Sequence, residues 1–262
     1  MRIDLGDVTL AYDLEGPEGA PVVVLSHCFS ADRQFWRAQL PALADYRVLR
    51  YDVRGHGQSA VTPPPYTLDL FGDDVARLLD ALDIERAHFC GISMSGMIGQ
   101  NVALRHGRRL RSLSLINTTS DYGDDQRDAW VARIAAVKQD GIEALHDALL
   151  ERWFRPESLA PWTPAVTYMS TCYRNFSPVA FEGAASAMRD LAYSKRLPEI
   201  RLPTLVVAGA EDVATPVAMS EAIAEAIPGA ELRIIEATGH LSPIDQPEAF
   251  NRVLADFLAR QA

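Results

Sequence analysis

Six short apolar runs punctuate the chain: "APVVVLSH" (20–27), "YRVLRYDV" (46–53), "AHFCGI" (87–92), "LRSLSLIN" (110–117), "TLVVAGA" (204–210) and "ELRIIEA" (231–237). Each is rich in branched residues and bounded by Gly, Pro or Asp, the pattern of strands buried on both faces. Between them lie amphipathic stretches at 68–83, 97–107, 217–227 and 247–261. Strand alternating with helix predicts an α/β fold: a mostly parallel central sheet, right-handed crossovers, and helices on both faces. The N-terminal "MRIDLGDVTLAYDLEG" alternates apolar and polar residues, as a hairpin does.

The alternation stops between 121 and 190, where no strand pattern survives and four helical patterns follow one another. They are "RDAWVARIAAVKQDG", "EALHDALLERWF", "PAVTYMSTCYRNF" and "FEGAASAMRD", punctuated by prolines at 156, 161, 164 and 178. This predicts a core in two parts, 1–120 and 191–262, with a helical cap inserted at 121–190. Three of the four tryptophans fall in the insertion: Trp130, Trp153 and Trp162. They can form a small core of its own or line a cleft over the sheet.

Composition narrows the partners. The chain has 262 residues, 48% hydrophobic and 23% charged, with a formal net charge of 25 − 35 = −10. Such a surface repels nucleic acid and anionic membranes. No apolar run reaches the ~18 residues of a membrane span, and the N-terminus lacks an apolar signal core, which favours the cytoplasm. Cys28, Cys90 and Cys172 are an odd number without metal-ligand spacing, so reduced thiols and no metal are expected. Oligomeric state is not legible.

The chemistry starts at "CGISMSGMIG" (90–99), between a strand and a helix. At a sharp strand-to-helix turn, positions two before and two after the apex come close together and must be small, the mechanics behind G-x-S-x-G. Here the pattern reads Gly91-Ile92-Ser93-Met94-Ser95, with Ser in the last position where Gly is usual. Ser95 as apex would need a glycine at 93, so Ser93 is the candidate nucleophile. A small junction that merely allows close packing is the bland alternative, and the motif needs a base, an acid and an oxyanion donor beside it.

Two other strand ends supply them. Asp212 follows "TLVVAGA", and His240 lies in the loop between "ELRIIEA" and the last helix. Both fall at C-terminal strand ends, the edge where ligands bind in open α/β sheets. His240 as base would activate Ser93, with Asp212 fixing its tautomer. Glu211 is the rival acid. His27, His56, His88, His106 and His146 read as structural, and Cys28 as packing. The turn in "SHCFSADRQFW" (26–36) can aim the Phe29 N–H at the cleft, where it would form an oxyanion hole with the N–H of Met94.

Taken together, "SHCF", "YDVRGHGQS" (51–59), "GISMSGMIG", "GAEDVATP" (209–216) and "TGHLSPIDQPEAF" (238–250) resemble the α/β-hydrolases, in order and over essentially the whole chain. The segments 88–118 and 130–154 are similar to the elbow and cap of 3-oxoadipate enol-lactonases. The resemblance implies the α/β-hydrolase fold with a helical cap, Ser93, Asp212 and His240 as the triad, and no metal or organic cofactor. The expected function is hydrolysis of a small-molecule ester or lactone through an acyl-enzyme. Other esterases and a carbon–carbon bond hydrolase share these motifs, and a non-catalytic ligand-binding protein on this fold is the reading from another class. A lactone bearing a carboxylate would need a cation, since residues 121–190 hold seven Lys and Arg against eleven Asp and Glu. Arg133, three residues after Trp130 and on its helix face, is the candidate. Trp130 and Trp153 are the candidate aromatic contacts.

Overall fold

The computed structural model describes residues 1–261. Eight strands form one sheet: β1 (Arg2–Asp4), β2 (Thr9–Glu15), β3 (Val22–Ser26), β4 (Arg47–Tyr51), β5 (Ala87–Ile92), β6 (Leu110–Ile116), β7 (Thr204–Gly209) and β8 (Glu231–Ile235). Their order across the sheet is β1-β2-β4-β3-β5-β6-β7-β8. The first two pair as the expected antiparallel hairpin, β2 pairs antiparallel with β4, and every other pair is parallel. All six predicted strands are present, and every residue of β5 and β7 is buried. That is why these runs are apolar throughout rather than alternating. β8, expected to be buried on both faces, lies instead at the sheet edge and leaves Arg233 and Ile234 exposed.

The helices are α1 (Leu68–Ala81), α2 (Met94–His106), α3 (Asp124–Asp140), α4 (His146–Trp153), α5 (Pro156–Leu159), α6 (Pro164–Arg174), α7 (Pro178–Arg189), α8 (Val217–Ala226), α9 (Ser242–Asp245) and α10 (Pro247–Ala259). α1 packs on α2, α8 on β7 and β8, and α10 on a 3₁₀ segment at Arg33–Leu43. That segment buries Phe35, Trp36, Gln39 and Leu43 at helical spacing but holds Pro41 in its interior, a residue that argues against a helix in the sequence.

The strand order reverses about β3. The chain steps one way from β3 to β4, then crosses to the other side for β5. The loops leaving β3 and β5 therefore sit side by side, the switch point at which open α/β sheets bind ligands. Ser26 is level with Gly91 in the β3–β5 register, so residues 27–30 run beside the β5–α2 turn.

Helices α3 to α7 all fall between β6 and β7. The two ends of this segment meet: Asp121 bridges Ala192, and the Tyr193 N–H donates to the Ser120 carbonyl at 2.8 Å. Gly141, at φ 81°, ends α3, where a left-handed backbone excludes most side chains. α3 packs on α7, and α4 on α6. No described helix is long and apolar enough to cross a membrane.

Candidate active site

The turn after β5 is as strained as its small residues imply. Ser93 sits at φ 53°, ψ −116°, an unfavourable conformation for a residue with a side chain. A Cβ on Gly91 would stand 2.2 Å from the Ser95 carbonyl oxygen, and one on Gly96 would stand 2.6 Å from the Thr118 side chain. The Ser93 main chain is pinned on both sides. Its N–H donates to the Ile116 carbonyl at 2.8 Å, and its carbonyl accepts from the Gly96 N–H at 2.9 Å and from Thr118 Oγ1 at 2.7 Å.

Three strand-end residues converge on this point. His240 Nε2 lies 2.8 Å from Ser93 Oγ, and His240 Nδ1 lies 2.9 Å from Asp212 Oδ2. All three side chains are buried, Ser93 at 8% exposure, Asp212 at 4% and His240 at 3%. With Nδ1 donating to the carboxylate, Nε2 is left to accept from the hydroxyl. The His240 loop is held from outside the core, because its N–H donates to the Trp153 carbonyl at 3.0 Å, at the C-terminal end of α4.

Asp212 is the most heavily hydrogen-bonded group here. Oδ1 accepts from the Ala214 and Thr215 N–H groups at 2.8 and 2.9 Å, and Oδ2 from Thr215 Oγ1 at 2.8 Å and Asn117 Nδ2 at 3.0 Å. Burial pushes the carboxyl up, but the facing His240 and the hydrogen bonds from His240, Thr215 and Asn117 outweigh it and hold the group below the usual carboxylate range. The rival Glu211 points away and pairs with Arg155 at 2.9 Å. Asn117 and Thr215 carry no signal in the sequence, because their partner is fixed only by the fold.

The amide N–H groups of Phe29 and Met94 donate to no described residue. Both flank the Ser93 turn, Met94 as the first residue of α2 and Phe29 on the loop after β3. The helix N-terminus adds its positive dipole end. Phe29 is locked by edge-to-face packing on Trp130, Phe176 and Phe181, with ring centroids 5.8, 5.3 and 5.1 Å away.

A cavity of about 650 Å³ opens over Ser93 and His240. Phe29, Tyr122, Trp130, Trp153, Met188 and Met219 supply its apolar and aromatic wall. Two arginines also face it, Arg133 on α3 and Arg152 on α4. Arg133 is half-buried with its guanidinium 4.7 Å over the Trp130 ring, and it has no ion pair or hydrogen bond among the described residues. Burial lowers its pKa, and the neighbouring Arg152 charge lowers it further. Arg152 makes one long bond, 3.4 Å, to the Ala214 carbonyl. It lies 19 positions from Arg133 on another helix, so no spacing links the two in the sequence.

The structure thus brings Ser93, Asp212, His240, Phe29, Met94, Trp130, Trp153 and Arg133 to one site. Trp162, by contrast, is 47% exposed and does not line the cavity. Cys28 and Cys90 are buried, and burial pushes both thiols well above the ordinary range, as inert packing residues. His27 makes structural bonds: Nδ1 to the Cys28 carbonyl at 2.8 Å, and Nε2 from the Val53 N–H at 3.0 Å.

Comparison with known proteins agrees with this architecture. The family model for the alpha/beta hydrolase fold matches residues 21–247. A 3-oxoadipate enol-lactonase of Acinetobacter baylyi is 35% identical over 260 residues, 95% of this chain and 93% of that protein. A Stutzerimonas stutzeri protein whose name proposes carbamate hydrolysis is 33% identical over 264 residues, 95% of this chain and 97% of that protein. The crystal structure of a hydrolase from Pseudomonas aeruginosa superposes with a TM-score of 0.95 at 39% identity, covering 98% of this chain and 97% of that one. The chain therefore belongs to the alpha/beta hydrolase fold family of hydrolytic enzymes.

Proposed function

We propose that this hydrolase opens a lactone or ester through an acyl-enzyme on Ser93. The carrying observation is the buried line Ser93 Oγ–His240–Asp212, with links of 2.8 and 2.9 Å. Ser93 Oγ attacks the carbonyl carbon while His240 Nε2 takes its proton. The carbonyl oxygen becomes an oxyanion, held by the unpartnered Phe29 and Met94 amides. As the C–O bond breaks, His240 returns the proton to the leaving oxygen, which in a lactone stays tethered to the acyl group. Water, deprotonated by His240, then attacks the acyl-enzyme, and the proton passes back to Ser93. Asp212 keeps Nδ1 protonated and stabilises the imidazolium.

For the substrate, we infer a small lactone bearing a free carboxylate, of the 3-oxoadipate enol-lactone class. An anion approaching a protein of net charge −10 needs a local cation. Arg133 and Arg152 provide two over the site, and neither is neutralised by a described carboxylate. An unpaired arginine kept partly out of water is costly unless a ligand completes it. Residues 121–190 act as the cap that carries both cations and the Trp130 and Trp153 walls.

Ser93→Ala tests the reading: it should lower kcat by roughly 10⁴- to 10⁶-fold with the fold intact by circular dichroism. A substrate panel of enol-lactone, saturated lactones, p-nitrophenyl acetate and a carbamate then ranks the leaving groups. The enol-lactone is expected to give the highest kcat/KM, and preference for the neutral ester or the carbamate would overturn the substrate assignment.

A further inference from the structure

Asn117 directly follows β6, fully buried, in the left-handed region at φ 44°. Its three polar groups reach three different segments. The backbone N–H donates to the Val207 carbonyl of β7 at 2.7 Å. Nδ2 donates to Asp212 Oδ2 at 3.0 Å and lies 3.3 Å from the carbonyl of Gly239, the residue before His240. Oδ1 accepts from Ser242 Oγ at 2.6 Å, two residues past His240. The amide therefore spans the acid loop and both sides of the histidine loop. Its orientation is fixed chemically, since the reversed amide would set an oxygen against the carboxylate.

We propose that Asn117 is a positioning residue, clamping the Asp212 and His240 loops in one register from the neighbouring strand. The proposal rests on the reading of Ser93, His240 and Asp212 as the reacting line. The oxygen that Asn117 binds is the one His240 binds, so the amide sets the direction from which Oδ2 faces the imidazole. It also offers the carboxylate a donor that is neutral. A leucine of similar size has no donor, and an aspartate would oppose charge to charge. Few residues but asparagine and glycine sit comfortably at this φ, and glycine has no amide to offer.

Charged groups elsewhere around Asp212 are limited. Tyr122 lies near it on the cavity side, Arg133 and Arg152 line the cavity beyond, and Glu211 on its own loop is paired with Arg155. On the β6 side Asp212 meets Asn117. A charge introduced there acts on the Asp212–His240 pair directly.

Three variants test the clamp, with kcat, KM, melting temperature and the pH profile of kcat/KM as readouts. Asn117→Gly keeps the backbone at ease and removes the amide. It should lower kcat by about 10- to 150-fold, the weight of one hydrogen bond to a charged group, with KM changed less than about threefold. Asn117→Asp keeps the shape and adds a carboxyl against Oδ2, so it should move the rise of kcat/KM to higher pH, because a second negative charge favours the imidazolium. Ser242→Ala frees the amide without touching residue 117 and should lower kcat by about 2- to 12-fold at constant KM. A purely structural role predicts lower melting temperatures with kcat and the pH profile of the folded fraction unchanged, and that result overturns the proposal. If Asn117→Gly does not fold, Asn117→Asp and Ser242→Ala decide. An active Ser93→Ala would instead refute the underlying reading, whatever Asn117 does.

Discussion

The Ser95 hydroxyl donates a hydrogen bond to the main-chain carbonyl of His27, tying the first turn of α2 to the loop that follows β3. Ser26 Oγ stands 2.8 Å from Ser95 Oγ and 2.9 Å from Tyr51 Oη, which extends the tie to β4. This gives a physical reason for serine where the elbow pattern has glycine. The two loops joined are the ones that carry Met94 and Phe29, so the bond sets the spacing of their amides. Ser95→Ala leaves the buried His27 carbonyl without its partner and should cost about 1–3 kcal/mol of stability by urea denaturation. The rate should fall by about 10-fold or less, since Ser93 and His240 stay in place. Loss of all activity would show that the nucleophile had been put on the wrong serine.

Asp212 and Glu211 are adjacent in the chain but opposite in role. Asp212→Asn, with the acidic oxygen replaced by a donor or a neutral acceptor, favours the wrong tautomer of His240 and should lower kcat by roughly 10⁴-fold. Glu211→Gln breaks only an exposed ion pair with Arg155 and should stay within about threefold of the parent. Neither Asp212→Asn nor His240→Ala should add to Ser93→Ala, because the three act as a unit. Additive losses would contradict a shared step.

The two cavity arginines are separable by substrate. Arg133→Ala should lower kcat/KM for the carboxylate-bearing lactone by about 10- to 150-fold and barely alter p-nitrophenyl acetate hydrolysis. Arg152→Ala should act in the same direction. Equal losses on both substrates would mean a damaged cap, and no loss on either would leave a neutral ester as the better substrate.

Buried histidines should weaken the fold in acid, His27 and His56 foremost. Burial drives the His27 pKa down, and burial with the neighbouring His27 takes His56 down to about 3. Both rings are neutral in the fold: His27 Nε2 must accept from Val53, and His56 is packed 4.5 Å from the Phe176 ring. Below an unfolded value of about 6.5 the unfolded chain binds more protons than the folded one, so stability is full above that pH and falls as pH drops. Each histidine contributes a slope of at most about 1.4 kcal/mol per pH unit, about 3 for these two, and His88, which burial takes down to about 4, adds to it. Urea denaturation at pH 7, 6 and 5 measures it, and a flat profile would mean the rings protonate without cost in the fold.

What could be read in the sequence follows how local each signal is. The strands of the sheet centre were legible because burial on both faces forces an unbroken apolar run, as in "TLVVAG" of β7. Ser93 and Asp212 each stand just past such a run, and His240 past the half-exposed edge strand β8; the fold sets them in hydrogen-bonding distance. Asn117 also ends a run, but its partners Asp212 and Ser242 lie 95 and 125 positions away, and only the sheet order brings them near. Arg152 reads as one more helix-surface cation, since nothing in "LLERWF" says which side of α4 meets a cavity. The 33–43 segment repeats buried residues at helical spacing, but Pro41 in its interior reads as a helix breaker and hid it.

The central claim is that Ser93 forms the covalent intermediate. A fluorophosphonate ester mimics the tetrahedral intermediate and bonds irreversibly to an activated serine oxygen, releasing fluoride. Peptide mass spectrometry of the inactivated enzyme should place one phosphonyl group on Ser93, with labelling abolished in Ser93→Ala and strongly slowed in His240→Ala. Phosphonylation of Ser95, or complete inhibition with Ser93 unmodified, would contradict it.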